Sequence, residues 1–168
     1  TEDFVLTIPE GYEIAQIADA VEASCKIPKQ DFLNEIATGE FDYSFITDEL
    51  PAGENRLEGY LFPDTYEFYN SSSEVTVINK LLARFEEVFV DAYREKAAEL
   101  GMSVDDIITI ASLIEKEAGT AADYRYVSSV FHNRLNNPGR FPKLESDATT
   151  VYALQLDNNG VRPENISA

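Results

Sequence analysis

Two glutamates, Glu115 and Glu117, close the stretch IITIASLIEKEAGT at 107–120. At about 100° per residue, an α-helix gathers Ile107, Ile110, Ala111, Leu113 and Ile114 on one side. Glu117 follows Ile114 by three residues, Leu113 by four and Ile110 by seven, so its carboxylate is expected inside the apolar stripe, near the helix C-terminus. Partial desolvation and the negative end of the helix dipole both disfavour an anion there. Under those conditions a Glu keeps its proton and can serve as a general acid. A glutamate capped or ion-paired at the helix edge, with Lys116 turned to solvent, fits the same spacing. Glu115 lies at the opposite margin of the stripe, so periodicity does not choose between the two acids.

Other chemistries find few residues to work with. One Cys and one His cannot make a zinc site. The chain has no EF-hand spacing, no phosphate-cradling glycine loop and no G-x-S-x-G elbow. His132 is expected to point off the apolar stripe of its helix, toward solvent, which disfavours Ser-His catalysis. What remains is carboxylate chemistry, with Glu58, Asp64, Glu115, Glu117 and Asp147 as candidates. The segment 57–69, LEGYLFPDTYEFY, is dense in aromatics. It reads either as a loop packed on the core or as a sugar-binding wall, because a Tyr ring offers a flat apolar face and a polar edge. Carboxylates in an aromatic setting point toward glycosidic bonds.

The 168 residues are enough to bury a sizeable core, and 44% hydrophobic with 11% aromatic content indicates a folded globular protein. Charge is lopsided, with 31 acidic against 13 basic residues and a net of −18. Such a surface repels phosphate backbones, so nucleic acid is not an expected partner. Cys25 is expected to be a small core residue. No apolar run is long enough to span a membrane, and there is no signal peptide. The abrupt beginning and end suggest an excised fragment, extracellular or cytosolic, that is expected to be soluble by itself.

The element pattern predicts an α+β fold dominated by helices. A strand at 4–8 is followed by a helix at about 14–25, a break at Pro28 and a short helix at about 30–37. This β-α-α segment, residues 1–50, is expected to be a small LysM-like or lead-in module. Residues 51–168 are expected to form the main, mainly helical domain with a few short strands. Within it, one long helix is expected over about 75–100, with Gly101 as its C′ residue. Ser103 and Asp106 form a capping-box-like start for the helix carrying Glu117. A further helix is expected over about 123–136, with Val127, Val130, Phe131 and Leu135 inward, and a turn at 136–139.

Four blocks stand in a telling order: LEGYLFPDTYEF at 57–68, IASLIEKE at 110–117, VSSVFHNRL at 127–135 and LESDATTVY at 144–152. Together they resemble the YceG/MltG-like endolytic murein transglycosylases, and LTIPEG at 6–11 resembles the segment ahead of that family's catalytic region. The resemblance implies a catalytic domain outside the cytoplasm, carried by a single-pass membrane anchor upstream of this fragment. It implies cleavage of peptidoglycan strands at the β-1,4 bond between N-acetylmuramic acid and N-acetylglucosamine, without water or cofactor. The product would carry a 1,6-anhydro-muramyl end, and the reaction would terminate nascent glycan elongation beside a peptidoglycan synthase complex. The family's catalytic residue is the second Glu of E-K-E, which here is Glu117 and leaves Glu115 structural. Asn133, Arg134 and Asp147, with Glu58, Tyr60 and Asp64 from the aromatic block, would make the substrate-binding surroundings. A cleft is expected between the Glu117 helix, the 57–69 block and the 144–152 segment, with Tyr60, Phe62 and Tyr66 excluding water. Where the family usually has an acidic residue followed by Arg, this chain has Asp123 and Tyr124 with Arg125 one place late; Ala148 replaces a usual Pro, the turn at 136–142 is lengthened, and a glycine- and proline-rich block is expected beyond residue 168. Two other readings fit the same residues: a muramidase-type hydrolase with Glu117 as acid and Asp147 or Glu58 as base, and a non-catalytic wall-binding scaffold.

Overall fold

The computed structural model describes residues 3–140, 144 and 146. Its elements are β1 (Asp3–Thr7), α1 (Ile14–Cys25), α2 (Lys29–Thr38), β2 (Thr65–Tyr69), α3 (Glu74–Val88), α4 (Asp91–Glu99), α5 (Val104–Glu117), a 3-10 turn (Ala121–Asp123) and α6 (Tyr124–Leu135). This is the helix-dominated α+β class expected from the pattern. The chain divides into two compact units, Thr1–Ile108 and Thr109–Ala168.

In the first unit β1 and β2 form a two-stranded antiparallel sheet, with Asp3 opposite Tyr69 and Thr7 opposite Thr65. Alternation puts Leu6, Tyr66 and Phe68 on the buried face. Pro63 argues against a central strand, yet β2 begins two residues after it, in the edge setting where a nearby Pro does no harm. The sheet packs with Ile14, Ile17 and Val21 of α1, Phe32 and Ile36 of α2, and Ile78, Leu81 and Leu82 of α3 in one core. The boundary expected at 50/51 therefore runs through a single core, because β1 finds its partner strand beyond residue 64. Cys25 is buried in that core, and desolvation pushes its thiol up to about 11.

The single helix expected over 75–100 is two. Phe89 leaves the helical region and Val90 is extended, φ −64° and ψ 162°, so α3 and α4 meet at a corner. Phe89 stays buried by stacking on Phe85 at 5.2 Å between centroids. Arg94 fastens the corner, donating to the Phe89 carbonyl at 2.6 Å and to Glu86 at 2.7 Å. Helix α4 ends in a Schellman motif: Met102 N–H donates to the Ala97 carbonyl and Gly101 N–H to the Ala98 carbonyl, both at 3.0 Å, with Gly101 at φ 68°.

Helix α5 starts as its sequence demands. Asp106 N–H donates to Ser103 Oγ at 3.0 Å and Ser103 N–H donates to Asp106 Oδ2 at 2.9 Å, a reciprocal pair that satisfies two otherwise orphaned donors. Ser103→Ala is expected to cost about 1 kcal/mol, read as a lowered midpoint in urea with an unchanged slope.

Candidate active site

In the first unit, each residue expected near substrate has a structural partner. Glu58 Oε2 accepts the Ile14 N–H at 3.1 Å, supplying α1 with a cap from a distant part of the chain. Tyr60 is 1% exposed, between Phe45 (5.3 Å, stacked) and Phe85 (5.2 Å, edge-on), and its hydroxyl donates to Asp105 Oδ1 at 2.9 Å. Burial and the acidic neighbour push that phenol well above its usual range. Tyr66, also buried, donates to the Phe62 carbonyl at 2.5 Å. The expectation of a sugar-facing wall is corrected for these two rings, which bury their flat faces in the core. Phe62 is half-buried under the Arg84 guanidinium, 5.8 Å from its centroid.

Asp64 accepts the Thr65 N–H at 2.7 Å and pairs with Arg84 at 2.8 Å. The backbone N–H and then the guanidinium hold its carboxyl below its usual 3.8. A depressed folded value gives a contribution that is full above the unfolded value and lost as pH falls through the folded one. Asp64→Asn is therefore expected to flatten the loss of stability as pH falls below about 4. Thermal melts across that range check this; an unchanged acid limb would contradict it.

In the second unit the apolar stripe of α5 buries Ile110 and half-buries Leu113 and Ile114, while Ala111 is exposed. Glu117, the last residue of α5, is exposed rather than enclosed by the stripe. Burial fades toward this end of the helix, so the enclosure expected from spacing is absent. One carboxylate oxygen is nevertheless engaged: Ser146 Oγ donates to Glu117 Oε1 at 2.6 Å, and Ser146 is itself only 8% exposed. Glu115 and Lys116 are exposed. On α6, Phe131 is buried, Val127, Val130, His132 and Arg134 are half-buried, and Asn133 is exposed. Leu135, expected inward, is 44% exposed because it ends the helix. Arg134 Nη1 donates to the carbonyl of Leu144. Asp147, and with it most of the 144–152 wall of the expected cleft, lies outside the described residues. No cluster of three or more His, Cys, Asp or Glu suited to a metal occurs among the described residues, and no helix there is long and apolar enough to cross a membrane.

The YceG-like family model matches residues 1–167. The chain belongs to the YceG-like family. It is 32% identical over 160 residues to the endolytic murein transglycosylase of Bacillus subtilis, covering 89% of this chain and 43% of that protein. It is 32% identical over 163 residues to the endolytic murein transglycosylase of Streptococcus pneumoniae serotype 2, covering 88% of this chain and 29% of that protein. The chain thus spans less than half the length of these relatives. A crystal structure of a YceG-like protein from Listeria monocytogenes superposes with a TM-score of 0.79 at 32% identity, over 97% of this chain and 54% of that one.

Within this YceG-like chain, Ser146 is the polar residue that spacing alone overlooked. It stands in the LESD block beside the charged Asp147. The signal available was a small hydroxyl amid an otherwise acidic and apolar run. What that hydroxyl touches, 29 residues away on α5, is a tertiary fact.

Proposed function

We propose that this chain carries the catalytic centre of an endolytic murein transglycosylase, with Glu117 as general acid and then general base. The observation that carries the reading is the family match over 1–167 together with an exposed Glu117, positioned at the end of α5 by a buried hydroxyl. Protonated Glu117 donates to the glycosidic oxygen between N-acetylmuramic acid and N-acetylglucosamine as the C1–O bond breaks and charge of oxocarbenium type develops at C1. The carboxylate then takes the proton of the muramyl C6 hydroxyl, whose oxygen bonds to C1 and closes the 1,6-anhydro ring. Acid and base are one residue, and no water is consumed. An intramolecular nucleophile gains an effective concentration that reaches about 10⁵ M or more in well-oriented cases. No second carboxylate is required, in contrast to retaining hydrolysis.

Asn133 presents an exposed amide on α6 in the same unit as Glu117 and is proposed as a glycan contact, as is Asp147. Glu58, Tyr60 and Asp64 support the fold of the first unit through Ile14, Asp105 and Arg84. The names of the relatives support peptidoglycan as substrate. An upstream membrane anchor, an extracytoplasmic location and a peptidoglycan synthase partner complete the proposal. Mass spectrometry of glycan fragments released from purified peptidoglycan by the full protein tests it. Muramyl ends lighter than reducing ends by one water are expected. Reducing ends would show a muramidase, and intact glycan bound without cleavage would show a scaffold.

A further inference from the structure

We propose that Arg134 and Ser146 form a positioning clamp for Glu117, so that Arg134 acts on the reaction through the chain rather than by holding glycan. The inference rests on the reading of Glu117 as the acid and base. It starts from two contacts inside the second unit. Ser146 Oγ meets Glu117 Oε1 at 2.6 Å, and the Arg134 guanidinium donates to the carbonyl of Leu144, two residues before that serine. Leu144 and Ser146 belong to no helix or strand, so the position of Ser146 depends on tethers of this kind. Arg134 supplies the tether from α6, where the helical backbone fixes its origin and its planar fork fixes the direction of donation.

The chemistry of the serine suits the task. A hydroxyl both donates and accepts, so it can stay bonded to a carboxyl group that alternates between protonated and ionised. The contact therefore survives both halves of the proton cycle that Glu117 runs. Misplacing a catalytic group by about 1 Å can cost about 100-fold in rate.

The test uses the full protein, with initial rates of glycan cleavage and the ¹³C resonance of the Glu117 carboxyl, assigned by its loss in Glu117→Gln. Ser146→Ala and Arg134→Ala are each expected to lower kcat by about 10- to 100-fold with little change in KM. Arg134→Lys, which keeps a donor for the Leu144 carbonyl, is expected to recover most of that loss. The double variant Ser146→Ala/Arg134→Ala should be no slower than the worse single variant, because both changes break one chain of contacts. The Glu117 carboxyl resonance should move in both alanine variants and return toward its wild-type position in Arg134→Lys. A raised KM with unchanged kcat in Arg134→Ala, multiplicative losses in the double variant, or a resonance that ignores Arg134 would each overturn the clamp. Full activity in Glu117→Gln would instead defeat the catalytic reading, and the resonance would still decide whether the clamp exists.

Discussion

Glu117→Gln is expected to lower the rate of glycan cleavage by about 10²- to 10⁴-fold, the range over which a positioned acid or base contributes. The substitution keeps the shape of the side chain and an oxygen that can accept from Ser146 Oγ, so KM and melting temperature should stay close to wild type. What it removes is the ability to give and retake a proton. Glu115→Gln is the matched comparison, an exposed acid two residues earlier on the same helix. It is expected to leave the rate near wild type. Initial rates on purified glycan strands separate the two. Equal losses in both variants would mean that charge near the end of α5, rather than proton transfer by one carboxyl, carries the effect.

The largest expected loss of stability comes from Gly59. Its φ of 85° lies in the left-handed region, and a Cβ built there would stand 2.5 Å from Cγ2 of Ile108. Ile108 packs against the core of the first unit at the boundary with α5's remaining turns, so it cannot simply swing aside. Gly59→Ala therefore combines backbone strain of about 1–2 kcal/mol with overpacking of about 1–3 kcal/mol. The melting temperature is expected to fall by about 10 °C or more. Gly101→Ala isolates the first effect. That glycine also has a positive φ, 68°, but nothing lies within 4 Å of the added carbon. Its loss should be about 1–2 kcal/mol. If calorimetry gave the two variants the same loss, close approach at Ile108 would not be the reason for glycine at 59.

Helices whose apolar residues recur at helical spacing were legible from the sequence. Ile14, Ile17, Ala18 and Val21 define α1 without any tertiary knowledge, and all four are buried. The start of α5 was legible for a local reason as well, since Ser103 and Asp106 cap each other across three residues. The corner at Phe89 and Val90 was not, because both are apolar and continue the stripe. What breaks the helix is Arg94 seizing the Phe89 carbonyl together with the stacking of Phe85 on Phe89. Strand β2 was hidden for a similar reason: its pairing partner, β1, lies about sixty residues earlier, at a distance that local patterns do not encode.

The candidate site divides the same way. Glu117 could be reached by spacing and assigned by resemblance, but its exposure could not, because burial depends on what else packs at the end of α5. The aromatic block left two readings open because ring density marks a core as readily as a sugar platform. Tyr60 buries its ring and turns its hydroxyl to Asp105, which ties the start of α5 to the first unit's core. Glu58 accepts from Ile14 and Asp64 pairs with Arg84. The contact of Ser146 with Glu117 joins two blocks of the resemblance that spacing alone leaves separate.

Cleavage in water enriched in ¹⁸O is the sharpest measurement, with products reduced at once and weighed. The muramyl product of the wild-type protein should contain no ¹⁸O, because the oxygen that closes on C1 is the sugar's own C6 oxygen. One ¹⁸O at C1 of each new muramyl end, dependent on Glu117, would show that water is the nucleophile and that the proposed reaction is wrong.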